Sequence, residues 1–290
     1  MMPPAFEYYA PTGVDEVIDL LEKYGDDAKI LAGGQSLIPL LKSRITEIPY
    51  LISLSGIKDL SYITESSNAT RIGAMTVDSD LEYSDTIRKR YPILMDALAR
   101  LADPLVRNMG TVGGNISHGD PSNDLPAVML ALKATFVARG RGGDRDIKAR
   151  DFFIDTFTTA LEHDEVLTGI SIPVWKEHSG GSYVKFERGT WNFSVAGSAV
   201  QLRLENGAVV EAGIAITSMG PKAMYIPEAE DYLLGKKFHK SVISEAADIV
   251  VEKSQPSPDT YGSVEYKKNI LKRITMEALE NAFRRSGGMK

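Results

Sequence analysis

Apolar residues recur at helical spacing from Val14 through Val17, Ile18, Leu21 and Tyr24, and Gly25 follows where a left-handed cap would end the helix. Thr12 and Asp15, three residues apart, have the spacing of a capping box and predict the helix start. A short apolar run, Ile30-Leu31-Ala32, reads as a buried strand that leads straight into Gly33-Gly34-Gln35-Ser36. Residues 37–41 then suit a short helix, and Leu51-Ile52-Ser53-Leu54 a second strand. The pattern at 62–64 and 71–72 predicts two hairpin arms around Ser66-Ser67-Asn68. Two amphipathic helices are expected over 77–90 and 92–101.

The segment 103–126 breaks this rhythm. It is rich in Gly, Asn, Asp, Ser and Pro, and a polar loop of that length within a compact domain is more often functional than idle. A helix over 124–132, strands over 135–137 and 166–172, and an exposed hairpin turn at Arg139-Gly140-Arg141-Gly142-Gly143-Asp144 follow. No helix start comes after that turn, so its glycines are read as a turn and not as a phosphate loop. Pro173 closes the strand, and the polar, glycine-rich stretch 175–181 marks a domain boundary. Beyond it, strands over 194–204 and 209–218 flank Glu205-Asn206-Gly207, where Asn-Gly suits a turn with two positive φ angles. Helical patterns cover 241–253 and 261–285. The class is α+β: a first domain over 1–175, divided into α/β subdomains at about 1–55 and 56–175, then an antiparallel sheet with helices over 178–290.

Composition narrows the function classes. Apolar residues make up 43% of the 290 residues and charged ones 25%, as in an ordinary globular protein. Thirty-three Lys and Arg against 39 Asp and Glu leave a net charge of −6, which argues against nucleic acid as the main partner. There is no cysteine, so neither a disulfide nor a Cys-ligated iron–sulfur cluster is available within the chain. No signal-peptide pattern and no apolar run of membrane-spanning length stand out, and the expectation is a cytoplasmic protein without a membrane span.

Two loops share one design. Ala32-Gly33-Gly34-Gln35-Ser36 follows a strand, and Thr111-Val112-Gly113-Gly114-Asn115 lies in the long polar segment. Consecutive glycines permit positive φ and remove Cβ atoms, so that amides can converge on an anion as a nest. Gln35, Ser36, Thr111 and Asn115 add polar side chains. Charge-assisted hydrogen bonds of about 1.5–3 kcal/mol each would let two such loops grip a pyrophosphate without covalent help. One Gly-Gly alone is usually a turn; the pair with matched polar flanks favours phosphate but does not name the ligand. The histidines His118, His163, His178 and His239 form no metal-ligand spacing, and no Walker or Rossmann glycine motif is present.

The segments Ala32-Gly33-Gly34-Gln35-Ser36-Leu37-Ile38-Pro39 and Thr111-Val112-Gly113-Gly114-Asn115-Ile116-Ser117-His118-Gly119-Asp120-Pro121, continued by Ser122-Asn123-Asp124-Leu125-Pro126-Ala127, resemble the two FAD-binding signatures of the medium subunits of molybdenum hydroxylases, the family of xanthine dehydrogenase and aerobic carbon monoxide dehydrogenase. The likeness covers most of the chain and implies a PCMH-type FAD-binding domain followed by the family's C-terminal flavoprotein domain. It implies a cofactor site with Leu31, Ala32, Gly33, Gly34, Gln35, Ser36 and Leu37 on one side of the pyrophosphate and Thr111, Val112, Gly113, Gly114 and Asn115 on the other. His118, Leu101, Leu167 and Asp124 complete it, with Asp124 on the adenosine half or, from its own residues, at a helix N-cap ahead of Leu125-Pro126. Near the flavin ring the run Lys185-Phe186-Glu187-Arg188-Gly189-Thr190-Trp191-Asn192-Phe193 departs from relatives, which commonly show Asp before the aromatic residue and, in some, Lys in place of Glu187. Phe193 is placed against the ring or in the core. No catalytic residue and no metal ligand is assigned.

The resemblance further implies a large molybdopterin-binding subunit and a small subunit with [2Fe–2S] clusters, in an assembly with two copies of each chain. Electrons would pass from the clusters to FAD and on to NAD⁺, a quinone or oxygen. An aldehyde, a purine, an N-heterocycle or carbon monoxide remains open as the complex's substrate. Two alternatives stand beside this reading: a self-sufficient FAD-dependent oxidoreductase, which would need acid–base residues that the sequence does not display, and a non-catalytic nucleotide-binding module.

Overall fold

The computed structural model describes residues 2–190 and 192–288. The first unit contains β1 (Glu7–Tyr9), α1 (Val14–Tyr24), β2 (Ala28–Leu31), α2 (Leu37–Ser43) and β3 (Tyr50–Ser53). The strands form a parallel sheet in the order β1-β3-β2, with Tyr8 beside Leu51 and Ile30 beside Ile52. Parallel neighbours need a crossover, and α1 and α2 supply it. Val17, Ile18 and Leu21 of α1 are buried with Ala28, Ile52 and Leu54, as the apolar spacing predicts. The predicted capping box is not made. The N-cap is Gly13, and the Thr12 amide donates to Glu16 at 3.3 Å instead of Asp15. Strand β1, with only three residues, had no periodic signal.

The second unit holds β4 (Ile63–Glu65), β5 (Ala69–Gly73), α3 (Asp78–Tyr83), α4 (Asp85–Arg90), α5 (Pro92–Leu98), α6 (Pro104–Arg107), α7 (Val112–His118), α8 (Asp124–Ala131), β6 (Thr135–Gly140), β7 (Gly143–Lys148), α9 (Ala149–Phe152), β8 (Phe153–Asp155), β9 (Thr158–Thr159) and β10 (Val166–Pro173). Its main sheet is antiparallel, in the order β4-β5-β10-β6-β7. The helix expected over 77–90 divides at Ser84, whose extended backbone (φ −74°, ψ 120°) ends α3 and whose hydroxyl accepts the Ile87 amide at the start of α4. The polar stretch 103–126, expected as a loop, carries α6, α7 and the start of α8. Pro173 is the last residue of β10 itself, paired with Ala69. At the β6–β7 turn Arg141 bonds Asp19 and Glu22 of α1, tying the two units together.

The C-terminal unit is a four-stranded antiparallel sheet of β11 (Ser179–Glu187), β12 (Ser194–Glu205), β13 (Ala208–Thr217) and β14 (Met224–Tyr225), backed by α10 (Pro227–Leu233), α11 (Lys240–Lys253) and α12 (Val264–Arg285). Asn206 and Gly207 turn between β12 and β13 with φ of 52° and 78°, as Asn-Gly predicts. Helix α8 is buried on every side, a pattern that belongs between layers. It packs against β12 and β13 while belonging to the core of the second unit. Through α8 the polar segment that follows α7 is held between the two domains.

Candidate functional site

Strand β2 ends at Leu31, and the chain turns through Ala32-Gly33-Gly34-Gln35-Ser36 into α2. Gly34 sits at φ +73°, a conformation costly for any residue with a Cβ. Gly33 is needed for a different reason. A Cβ there would lie 2.0 Å from the carbonyl oxygen of Met109, so only glycine lets this loop close onto the segment before the second one. Among the described residues, the amides of Gly33, Gly34, Gln35, Ser36 and Leu37 donate to no acceptor in the chain. Five successive amides free of protein partners, around a positive-φ glycine, have the donor chemistry that an anion requires.

The second loop is built differently from expectation. Gly113 and Gly114 are in the first turn of α7, and neither has a positive φ. Thr111 is the N-cap, its hydroxyl accepting the Gly114 amide at 3.1 Å. The amides of Val112, Gly113 and Asn115 donate to the carbonyls of Thr76, Ala74 and Thr111 at 3.0, 2.9 and 2.9 Å. The amide nest expected here is not formed, because those donors already secure α7 against the exit of β5. The glycines serve close approach: a Cβ on Gly113 would meet Ala74 Cβ at 2.5 Å, and one on Gly114 would meet Ala32 Cβ at 3.3 Å. What the loop presents is side chains. Asn115 Oδ1 is buried with no hydrogen-bond partner. Burial pushes the His118 imidazole below its ordinary value, against the opposing pull of Asp120, and the ring lies 5.1 Å from that of Phe157.

Both loops open onto one cavity of about 900 Å³. The structure brings Ala32, Gly33, Gly34, Gln35, Ser36, Leu37, Leu101, Thr111, Gly113, Gly114, Asn115, His118, Asp124, Leu167 and Phe193 to its wall. Leu31 and Val112 are not on it: Leu31 closes β2 against β3, and Val112 is wholly buried in the core. Leu101 and Leu167 are 5% and 4% exposed, whereas Phe193 is 59% exposed, so Phe193 is no core residue. Asn192 joins Phe193 at the cavity, and Trp191 between the named loop residues lies outside the described residues. His163, read as a scattered histidine, also reaches the wall. Sequence reasoning missed Asp78 and Phe157. Asp78 looks like any acidic first-turn residue, and Phe157 adopts φ +53° within a two-strand ribbon that carries no periodic signal.

Asp124 is the first residue of α8; the N-cap is Asn123, so the capping alternative is not what the structure shows. The carboxylate accepts from the Tyr183 hydroxyl at 2.5 Å and from Lys185 Nζ at 3.0 Å. Lys185 also donates to the carbonyls of Arg100 and Asn192, at 2.9 and 3.0 Å, and sits 3.2 Å from Glu187. Burial pushes Asp124 upward, and Lys185 and Tyr183 oppose it; burial and Asp124 together hold the Tyr183 phenol well above its usual range. Lys185 thus ties the Asn192–Phe193 segment to this network, and neither it nor Glu187 is on the cavity wall.

A cavity in the upper part of the range of about 300–1,000 Å³ typical of cofactor pockets, lined both by residues with free amides and by apolar side chains, has the chemistry for a ligand that combines an anionic group with an apolar ring system. The family described as the FAD binding domain in molybdopterin dehydrogenase matches residues 4–175, and the CO dehydrogenase flavoprotein C-terminal domain matches residues 181–282. The chain is 40% identical to the carbon monoxide dehydrogenase medium chain of Hydrogenophaga pseudoflava, over 98% of this chain and 99% of that one. It is 33% identical to the glyceraldehyde dehydrogenase medium chain of Sulfolobus acidocaldarius, over 97% and 99%. A solved structure of the Hydrogenophaga pseudoflava carbon monoxide dehydrogenase lacking the Mo-pyranopterin moiety of its molybdenum cofactor contains a chain similar to this one. The TM-score is 0.96 at 41% identity, over 98% of this chain and 99% of that chain. This chain therefore belongs to the FAD-binding medium subunits of the molybdopterin-dependent dehydrogenases, the flavoprotein subunits of molybdenum hydroxylases.

Proposed function

We propose that the chain is the electron relay of such an enzyme, holding FAD between the [2Fe–2S] clusters of a small partner subunit and an external electron acceptor. The assembly we propose has two copies each of the large, medium and small chains, and works in the cytoplasm. The observation that carries this reading is the run of free amides from Gly33 to Leu37, all residues of the wall of a cavity of about 900 Å³. In this reading those amides bind the pyrophosphate. The Thr111 hydroxyl and the Asn115 carboxamide close over it from the second loop, and His118, whose imidazole burial pushes below its ordinary value, borders it.

Leu101, Leu167 and Phe193 then flank the apolar ring system and keep water from its faces. Asp124 has one oxygen engaged by Tyr183 and the other by Lys185, which fixes its orientation and leaves a lone pair on each for a ligand hydroxyl or amine. FAD, when bound, supplies the exchange between one-electron and two-electron transfer; the chain supplies binding, orientation and the surrounding field. The sequence has no cysteine to ligate a cluster, so in this scheme the iron–sulfur clusters belong to a partner.

The visible spectrum of the purified chain, with the released chromophore identified by mass, tests the proposal. The expected result is FAD at about one per chain when the protein is saturated with it, with bleaching by substrate only after the partner subunits are added. A chain that takes up no FAD when supplied with it, alone or in the complex, would sink the reading. Bleaching by substrate without partners would replace the relay with a self-sufficient oxidoreductase.

A further inference from the structure

We infer that Asp78 is a proton-bearing ligand residue of the FAD site: its carboxyl takes up a proton from solvent as the cofactor's pyrophosphate binds, and donates it as a hydrogen bond to the cofactor. The inference rests on the FAD-site reading above. Asp78 is the first residue of α3, 2% exposed, and lies on the cavity wall. Its amide donates to the Gly110 carbonyl, which holds the start of α3 against the approach to the second loop. A Cβ built on Gly110 would meet Asp78 Oδ2 at 2.8 Å and Gln35 Cγ at 3.8 Å, so the carboxyl and the first loop's glutamine flank the same glycine. Asp78 Oδ1 is buried with no hydrogen-bond partner.

A buried carboxylate without donors is costly, and one next to a bound dianion is costlier still. The protonated acid removes both problems, since it is neutral and turns an oxygen into a donor. The surrounding charges do not supply an alternative. Arg107 of α6 is the charged group that pulls the Asp78 carboxyl downward. Its guanidinium is already engaged by Glu82, with Nε at 2.8 Å, and by the carbonyls of Leu101 and Ala102. Asp80 and Glu82 share Asp78's own helix and add only negative charge. On α4, Arg88 is paired with Asp85 and Arg90 with Glu65; on α5, Asp96 is paired with Arg285. His118 stands on the same cavity wall. Burial outweighs Arg107 and lifts the Asp78 carboxyl to about 7, so protonation lies within reach of neutral pH.

The test is calorimetric titration of the FAD-free full-length chain with FAD, in buffers of differing ionisation enthalpy, for the wild type and for Asp78→Asn. Wild type is expected to take up close to one proton per FAD at about pH 8 and almost none by about pH 6, with affinity roughly tenfold weaker at the higher pH. Asp78→Asn, a neutral isostere that keeps a donor, is expected to bind FAD with no uptake above that left by His118 and with affinity nearly level over the same interval. Equal proton uptake in the two proteins would overturn the inference. So would a wild-type affinity that weakens on acidification, which is the signature of an ionised carboxylate accepting from a ligand hydroxyl. If neither protein binds FAD at any pH, it is the FAD-site reading that fails, and this inference falls with it.

Discussion

At Gly33-Gly34 the chain leaves a parallel strand with five successive amides free, whereas at Gly113-Gly114 the same dipeptide opens a helix whose amides are bound to Thr76, Ala74 and Thr111. Both pairs of glycines bring backbones together, since Cβ atoms at Gly33 and Gly113 would collide with Met109 and Ala74. Only Gly34 also needs its left-handed φ. One loop therefore keeps its amides unpaired beside the cavity while packing tightly, and the other is a packing joint that offers side chains to the same cavity. Matching sequence signatures do not imply matching physical roles: what divides the two loops is whether their amides find acceptors within the chain, which Ala74 and Thr76 just beyond β5 supply to the second loop and no described residue supplies to the first.

The largest expected effect concerns Asp78, which is packed beside Gly110 between the loops. Its carboxyl has an ordinary value of 3.8 and rises to about 7 in the fold. The folded state binds the proton more tightly, so this contribution to stability is fully present below the ordinary value and is lost as pH rises through about 7. Every tenfold gain in proton affinity on folding corresponds to about 1.4 kcal/mol, which puts the loss on the order of 4 kcal/mol. Urea unfolding of the FAD-free protein at acidic and mildly alkaline pH checks it: wild type should lose stability across that span, and Asp78→Asn should lose markedly less.

Next in size, Gly113→Ala would force a methyl into Ala74 and push α7 off β5. A destabilisation of about 3 kcal/mol is expected, from overpacking where backbone must move. A shift of the denaturant midpoint measures it, and an unchanged midpoint would mean that the second loop is not the joint described here. Thr111→Ala is milder. It removes the cap that receives the Gly114 amide and should cost about 1 kcal/mol by the same measurement. Added FAD should restore little of either loss in fractional terms, because both changes act on the fold first.

Much of the architecture was legible in the chain. The α1 periodicity, the hairpin around Ser66-Ser67-Asn68 and the Asn206-Gly207 turn all follow from local chemistry that tertiary contacts do not override. Strand β11 was not legible, because Gly180 and Gly181 read as a linker. In the fold Gly180 faces α12, where a Cβ would lie 2.4 Å from the Ser286 amide nitrogen, a contact made across more than 100 residues of sequence. The same limit applies at the site. The two loops and most of their flanking residues were recognisable as motifs, but a Gly-Gly pair does not disclose whether it serves positive φ or close approach. Asp78 had no signal at all, because its burial comes from Gly110 and the cavity wall rather than from its sequence neighbours. Asp124 was marked out by its motif, yet its partners Tyr183 and Lys185 come from β11 in the next domain.

The most direct test of the division between the loops is the FAD dissociation constant of Gly34→Ala, measured by flavin fluorescence titration alongside its unfolding midpoint. Alanine at a left-handed φ costs about 1–2 kcal/mol, and relaxing that strain turns the following amides away from the cavity. The account predicts at least a roughly tenfold weaker affinity, a loss of about 1.4 kcal/mol in binding, in a protein that still unfolds cooperatively. An affinity equal to wild type in the folded variant would contradict it, and would mean that the free amides of the first loop are not what holds the cofactor.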